Sequence, residues 1–244
     1  MSGALRPRAE WGTIPWPPST YGRSCLGIPL EVWRPREKCA VLVFAGIHGE
    51  EAETIYALSR ALRQLTGPPE QCAVVLAANP DGLIRGTRTN ARGVDLNRNF
   101  PARNWSPAPV THRSTLEDPS DIAASPGAHA ASEPEVAALL NLVDELEPQA
   151  VVALHAPLAC IDDPGETPLG RWLAKRTGLP LVRDVGYPTP GSFGSWGKDQ
   201  GVSVVTYELP SADTETIMRD HVPVLVELLL QTFPRLEQTR PQGG

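Results

Sequence analysis

The fold is decided by residues 39–51, which read CAVLVFAGIHGEE. Seven apolar residues come first, and such a run without polar alternation predicts a strand buried on both faces, as in mainly parallel sheets. A glycine ends the run, and His48 and Glu51 follow where the chain enters the next element. Ligands of open α/β sheets bind at the carboxyl ends of strands, so polar side chains here are candidates for chemistry.

Strands and helices alternate outward from this run. Residues 50–66 carry apolar side chains at spacings of three and four, which predicts an amphipathic helix. Ser132 and Glu135 form a capping-box pattern that predicts another helix, ending near residue 146. Buried strands are also predicted at residues 72–78, 150–154 and 202–207, and helices at residues 169–177 and 222–229. The alternation predicts one α/β domain over residues 1–244, with a mainly parallel mixed sheet flanked by helices.

A long segment interrupts the alternation. Between residues 100 and 131 the sequence is dominated by Pro, Ser, Asp and Ala. A loop of this length inside a compact domain is usually a functional surface element or a mobile flap. We therefore expect one of these two roles for the segment.

Composition narrows the classes of partner. The net charge is −6 and no block of five or six like charges occurs, which argues against nucleic acid or an anionic membrane as main partner. No stretch of about 18 apolar residues predicts a membrane span, and the first dozen residues lack the apolar core of a signal peptide. Four scattered cysteines favour reduced thiols over a disulfide scaffold. We expect a cytoplasmic protein, whose oligomeric state the sequence does not determine and which could form a homo-oligomer.

Two histidines and a glutamate follow predicted strands. His48 and Glu51 are three residues apart, so both side chains can face one side of the first helical turn, and His155 follows the strand at 150–154. Two imidazoles and one carboxylate form the His₂Glu set of catalytic zinc sites, although the H-E-x-x-H helix is absent. The alternative for His48 is a bond to backbone at a helix start, and for His155 a satisfied buried position.

The segment 89–100, TNARGVDLNRNF, adds a possible anion site. Arg98 can bind a carboxylate through two parallel hydrogen bonds, and Asn97 can add an amide donor. Three more arginines precede them in the sequence, at Arg85, Arg88 and Arg92. These residues predict a cationic pocket in a net-acidic protein, the alternative being a solvated loop.

In chain order, the H-x-x-E pair, G-V-D-L-N-R-N-F, a distant histidine and a glutamate that ends a late strand form a recognisable series. This series resembles the carboxypeptidase A-like zinc peptidases from about residue 21 to residue 210. Residues 21–24, 157–161 and 185–196 further resemble a bacterial branch of that family, the murein amidases.

The resemblance implies catalytic roles for particular residues. It makes His48, Glu51 and His155 the ligands of one zinc ion. It makes Glu208 the general base and acid. The arginine that stabilises the oxyanion is expected at Arg88, with Arg85 and Arg92 as competitors.

The resemblance also implies substrate contacts. Asn97 and Arg98 match the pair that binds the substrate carboxylate beside the scissile bond. Tyr187 and Phe193 match the loop that borders the specificity pocket. One position departs from the branch: an acidic residue is expected after the third ligand, where this chain has Ala156. That difference concerns substrate tuning or support of the ligand.

The implied activity is hydrolysis of the γ-D-glutamyl–meso-diaminopimelate amide of the murein tripeptide L-Ala-γ-D-Glu-meso-diaminopimelate, in peptidoglycan recycling. Diaminopimelate also carries a distal ammonium, for which an acidic partner is expected among Asp162, Asp163 and Asp184. Three alternatives stay open: a general zinc carboxypeptidase, a deacylase of the succinylglutamate desuccinylase and aspartoacylase type, and a zinc-stabilised binding module without activity. The presence of Glu208 argues against the last.

Overall fold

The structure is a computed structural model that describes residues 5–114 and 120–230; for residues 112–114 and 120 only the backbone is described. Its strands are β1 (Ser19–Arg23), β2 (Pro29–Val32), β3 (Val41–Phe44), β4 (Cys72–Val75), β5 (Val110–Ser114), β6 (Ser120–Ala124), β7 (Ala150–His155), β8 (Leu158–Asp162), β9 (Leu181–Val182) and β10 (Ser203–Pro210). Its helices are α1 (Ala52–Leu62), α2 (Pro80–Arg85), α3 (Pro134–Leu146), α4 (Pro168–Thr177), α5 (Phe193–Gln200), α6 (Thr214–Asp220) and α7 (Val222–Leu229).

Six of the strands form the central sheet in the order β4-β3-β7-β10-β8-β9. Neighbouring strands run parallel except β8, which runs antiparallel to β10. The predicted mainly parallel mixed sheet flanked by helices is therefore confirmed. The last strand, β10, is inserted between β7 and β8, so two segments that are close in the chain are separated in the sheet.

Helices cover both faces of this sheet. Along β3 the side chains alternate, as the pleat of a strand requires: Val41 and Val43 join one apolar cluster, and Leu42 and Phe44 join the other. The first cluster packs against α1, α4, α6 and α7, and the second against α3 and α5. Because both faces are covered, the carboxyl ends of the parallel strands are where polar side chains can meet a ligand.

The predicted capping box at Ser132 is wrong. The N-cap of α3 is Glu133, and no side chain caps the helix. The hydroxyl of Ser132 donates to Oε1 of Glu133 at 2.8 Å, and Glu135 accepts the backbone N–H of Cys25 at 2.8 Å. The amide of Asn99 also donates to the Ser132 hydroxyl at 3.1 Å, so a bond to the adjacent Glu133 and bonds from two distant residues have taken the groups that a local capping box would use.

The segment at residues 100–131 contains regular structure. Strands β5 and β6 pair antiparallel within it, while residues 115–119 lie outside the described part of the chain. Val110 and Thr111 line the large cavity described below. Two residues of this segment therefore form part of the cavity wall.

Two absences concern the described residues. Within residues 5–114 and 120–230, no helix combines the length and the apolar character that a membrane crossing needs. All four cysteines lie in these ranges, and none of them forms a disulfide.

Candidate active site

The turn between β3 and α1 brings His48 and Glu51 together. Glu51 is the N-cap residue of α1 but forms no side-chain cap. Its Oε1 instead lies 2.6 Å from Nδ1 of His48. The predicted spacing of three residues therefore places both groups on one side of the helix start.

Gly49 allows this turn to pack closely against α2. A Cβ at residue 49 would collide with the backbone of Gly82 and the nitrogen of Leu83. The two residues on either side, His48 and Glu50, are consequently held against a neighbouring backbone segment. The glycine is required by this close approach.

His155 joins the pair from the end of β7. Its Nδ1 lies 3.1 Å from Oε2 of Glu51, and its ring centroid lies 4.9 Å from that of His48. All three side chains are buried. Burial acts to raise the pKa of Glu51, but the imidazoles of His48 and His155 outweigh it and hold the pKa well below the usual range.

These three side chains fit a zinc ion. Each offers one ligand atom, and the atoms lie within 4.8 Å of one another. Each oxygen of Glu51 faces the Nδ1 atom of one histidine, so two nitrogens and a carboxylate point at a common centre. This donor set is the one that catalytic zinc sites use, with a fourth position left for water.

Asp95 contacts one of the three proposed metal ligands, His48, although the sequence analysis assigned Asp95 no role. Its Oδ1 lies 3.3 Å from Nε2 of His48, the kind of outer contact that orients a ligating imidazole. Its Oδ2 accepts a hydrogen bond from Nε of Arg88 at 2.8 Å. Burial opposes ionisation of Asp95, yet Arg88 and His48 hold its pKa well below the usual range. In the sequence, the one signal that could have indicated a role for Asp95 is its position two residues before Asn97.

Of the three competing arginines, Arg88 is the one at the site. Its Nη1 lies 3.6 Å from Oε1 of Glu50 and 3.9 Å from Oε1 of Glu51. Arg85 instead donates to the backbone oxygen of Asp81. Arg92 is largely exposed and pairs with Glu133. The role of Arg88 stays a prediction, but its location agrees with it.

Glu208 lies beside His155. On β10 it is the parallel partner of His155 and the antiparallel partner of Cys160 on β8. Its Oε2 lies 3.4 Å from the backbone nitrogen of Leu158. Burial raises the pKa of Glu208, and the opposing effect of His155 does not cancel it.

Asn97 and Arg98 occupy a short 3₁₀ turn capped by Asp95, which accepts the backbone N–H of Asn97. The amide oxygen of Asn97 accepts the backbone N–H of Phe193 at 2.9 Å, so its NH₂ group is what it can offer a ligand. Arg98 is buried, and within the described residues its Nε has no hydrogen-bond partner. Both residues line the cavity, as a carboxylate site requires.

Tyr187 and Phe193 differ in how much of their side chains is exposed. Tyr187 lines the cavity with about half of its surface exposed. Phe193 lies at the cavity wall, but its ring is only 1% exposed and packs edge-on against Phe44 and Phe100. The ring of Phe193 therefore packs mainly in the core, and its role beside the specificity pocket stays a prediction.

One cavity of about 1090 Å³ connects these groups. Its lining includes His48, Glu51, His155, Arg88, Asn97, Arg98 and Glu208. Ala156, the position that departs from the branch, also lines it. The cavity thus combines a possible metal site, a buried carboxylate base and a cationic group, which is an arrangement suited to hydrolysis of an amide next to a carboxylate.

Comparison with known proteins agrees with this geometry. Residues 18–161 match the sequence profile of the zinc carboxypeptidase family. The chain belongs to the zinc carboxypeptidase family. Murein peptide amidase A of Escherichia coli K12 is 44% identical over 228 residues, which span 92% of this chain and 94% of that protein. Murein peptide amidase A of Vibrio campbellii is 39% identical over 232 residues, spanning 93% and 92% of the two chains.

A solved structure of this zinc carboxypeptidase family shows the same architecture. The crystal structure of the murein-tripeptide amidase from Escherichia coli O157 superposes with a TM-score of 0.89 at 43% identity. The match covers 95% of this chain and 99% of that one. The assignment of the chain to the zinc metallopeptidases therefore rests on sequence and fold together.

Proposed function

We propose that this chain is a zinc-dependent amidase that hydrolyses the γ-D-glutamyl–meso-diaminopimelate bond of murein tripeptide. The observation that carries the proposal is the convergence of His48, Glu51 and His155 beside Glu208, in a cavity that Arg98 also lines. The names of relatives at 39–44% identity support the substrate. Action in the cytoplasm and in peptidoglycan recycling stays a prediction.

The metal would be held by His48, Glu51 and His155. When bound, zinc polarises a scissile carbonyl and lowers the pKa of a coordinated water. The residues themselves keep the donors buried, and Oδ1 of Asp95 lies 3.3 Å from Nε2 of His48, where its charge favours the orientation of this imidazole. A carboxylate in that outer position also raises the basicity of the ligand.

Glu208 would move the proton. It takes a proton from the attacking water and passes it to the leaving amine of diaminopimelate. A carboxylate whose pKa is raised by burial is a better base than an exposed one, because a catalytic pKa closer to the working pH is more effective. Its parallel pairing with His155 places it beside the residues that would hold the metal.

Arg88 and Arg98 would act on the two negative groups of the reaction. The guanidinium of Arg88 is anchored by Asp95 through Nε, and its Nη1 lies 3.6 Å from Glu50. Its Nη groups would donate to the oxyanion that develops on the scissile carbonyl. Arg98 and the NH₂ of Asn97 bind the carboxylate next to the scissile nitrogen. Arg98 donates one hydrogen bond from Nη1 to the backbone oxygen of Asn97, while its buried Nε has no partner among the described residues. Without that carboxylate the guanidinium would stay only partly satisfied, which disfavours substrates extended beyond it.

The first test combines metal content with hydrolysis by the wild type and the variant Glu208→Gln. The variant should still bind about one zinc per chain, because Glu208 is not in the ligand group, and should lose about 10²–10⁴-fold in kcat. Metal content is measured by mass spectrometry and hydrolysis by chromatography of released diaminopimelate. Activity retained by the variant would show that another group is the base.

The second test addresses the substrate. A general carboxypeptidase would use the same catalytic residues, so only the substrate preference separates it from an amidase. We expect a higher kcat/KM on L-Ala-γ-D-Glu-meso-diaminopimelate than on simple α-linked tripeptides. A preference for the α-linked peptides would contradict the proposal and favour the general carboxypeptidase.

A further inference from the structure

The cavity extends away from the catalytic groups along one face of the sheet. Asp162 on β8 is the antiparallel partner of Thr206 on β10, two residues before Glu208. Directly opposed residues of an antiparallel pair point to the same face, as do residues two apart in a strand. All three line the cavity, and Asp162 is displaced from Glu208 by roughly 7 Å along the strands.

Two other acidic residues of this cavity wall, Asp163 and Asp184, accept hydrogen bonds from the chain around them. Asp163 is 1% exposed, and its oxygens accept hydrogen bonds from the backbone of Gly165 and from the backbone and hydroxyl of Thr167. Asp184 is exposed, and its Oδ1 accepts the N–H of Gly186 in a tight turn. Both carboxylates therefore act in local chain turns.

Asp162 has a different environment. Its Oδ1 is buried and has no hydrogen-bond partner in the described part of the chain. No arginine or lysine of the described residues forms an ion pair with it. An orphaned buried oxygen is costly, and in native proteins it calls for a missing partner. Oδ1 is closed off from the cavity, so a ligand would reach this carboxylate through Oδ2, which accepts no hydrogen bond from the described residues either. Because the cavity is the proposed substrate site, the cation that this carboxylate lacks is to be sought in the substrate.

The electrostatic setting agrees with a missing cation. Burial raises the pKa of Asp162 to about 6, and the nearby charges of Glu208 and Asp184 add to the effect. Above that pH the carboxylate is mainly ionised, although its surroundings oppose the charge. A positive group placed against it would stabilise the ionised form and would also strengthen binding of that group.

On the basis of the proposed function, we infer that Asp162 accepts the distal ammonium of diaminopimelate and makes the enzyme selective for a cationic side chain. With the carboxylate beside the scissile bond on Arg98 and the scissile amide near Glu208, the methylene chain of diaminopimelate can run along the sheet past Thr206. Its far end then reaches Asp162. A substrate without the ammonium would leave the Asp162 oxygen unpaired, which is an effective means of rejection.

The test compares two tripeptides that differ only in this ammonium. One ends in meso-diaminopimelate, and the other ends in L-2-aminopimelate, which keeps the length and the distal carboxylate. The wild type should prefer the first by about tenfold to hundredfold in kcat/KM, the range of a charge-assisted hydrogen bond. Asp162→Asn should abolish most of that preference by losing activity on diaminopimelate, with little change on aminopimelate.

The ratio of kcat/KM for the two tripeptides separates recognition of the ammonium from an indirect effect of Asp162 on Glu208. Loss of the Asp162 charge also changes the electrostatic environment of Glu208, but that change affects both substrates equally. Asp184→Asn, at an acidic residue of the same cavity, is the matched control and should keep the wild-type ratio. Asp162→Ser provides a second variant if Asp162→Asn does not fold, as judged by circular dichroism.

The outcomes distinguish a failure of the proposed function from a failure of the proposed role of Asp162. A wild type that cleaves neither tripeptide overturns the proposed function. A wild type that cleaves both without preference, or an Asp162 variant that keeps the full preference, overturns only the role of Asp162. Collapse of the ratio in the Asp162 variants but not in Asp184→Asn supports it.

Discussion

Among the residues that the structure describes, two clusters have the residue types of a metal site. One is the rim cluster, His48, Glu51 and His155, and the other is the α3 cluster, Cys25, Glu133 and Glu135. In the α3 cluster the amide nitrogen of Asn90 lies 2.8 Å from Glu133, 3.3 Å from Glu135 and 3.2 Å from the Cys25 sulfur. The position that an ion would need is thus taken by a hydrogen-bond donor.

The rim cluster differs in access and in support. All of its members line the large cavity, whereas none of the α3 cluster is among the residues that line it. In the rim cluster, Asp95 contacts the ring nitrogen of His48. In the α3 cluster, Glu133 accepts a hydrogen bond from Ser132 and pairs with Arg92. Proximity of donors is therefore insufficient: a functional site also needs an open centre and a path for substrate. The α3 cluster is a structural hydrogen-bond network.

The largest expected difference between the clusters is in metal content. His155→Ala should remove the zinc and lower activity by at least about 10³-fold, because the metal supplies several kcal/mol to the transition state and each 1.36 kcal/mol is tenfold. Cys25→Ser should leave metal content and activity unchanged. Mass spectrometry and tripeptide hydrolysis measure both. Zinc loss in Cys25→Ser would remove the distinction.

The arginines of the two clusters give the next contrast. Arg88→Ala should lower kcat about 10²–10³-fold, the usual cost of losing an oxyanion donor. Arg92→Ala, which removes an exposed ion pair with Glu133, should leave kcat unchanged. Steady-state kinetics at saturating substrate provide the measurement. Equal losses in both variants would mean that Arg88 has no special catalytic position.

A smaller effect is expected from the outer carboxylates. Asp95→Asn should weaken zinc affinity about 10–100-fold, because the orientation and basicity of His48 depend on this carboxylate. Glu133→Gln is the matched change in the α3 cluster and should leave zinc affinity as it is. Competition with a chromophoric chelator measures both constants. An unchanged affinity in Asp95→Asn would show that His48 is positioned by other contacts.

The smallest effect is on stability alone. Asn90→Ala deletes the donor shared by Glu133 and Glu135 and should lower the free energy of unfolding by about 1–3 kcal/mol. Activity of the folded enzyme should not change, because Asn90 lies outside the cavity lining. Urea titration measures the loss, with Asn141→Ala on the exposed side of α3 as control. A fall in kcat for Asn90→Ala would connect the α3 cluster to catalysis.

Much of the fold was predictable from local patterns. The strand at residues 41–44, the helix at residues 168–177 and the final helix lie within or close to their predicted bounds. Helix α5 was not predicted, because its sequence FGSWGKDQ contains two glycines, which are poor helix formers. Its N-cap is Ser192, whose side chain accepts the N–H of Ser195. The short β9 carries too few residues for a periodic signal.

The site residues also divide into those that local sequence patterns predict and those whose position only the tertiary structure shows. His48, Glu51 and His155 could be proposed from strand ends and spacing, because these are local properties of the chain. The resemblance favoured Arg88 over Arg85 and Arg92, but only the tertiary structure shows that Arg88 contacts Asp95 and lies near Glu51. The failure of the capping box at Ser132 likewise involves partners distant in sequence, since Asn99 donates to Ser132 and Cys25 donates to Glu135.

By itself, the amino-acid sequence determined the strand-helix alternation and the residue types at the strand ends, since hydrophobic periodicity acts over a few neighbouring residues. Tertiary structure alone decided that β10 enters between β7 and β8. That insertion places Glu208 against His155 on one side and the β8 strand of Asp162 on the other. Strand order depends on the sum of contacts between segments far apart in the chain, which no local pattern contains.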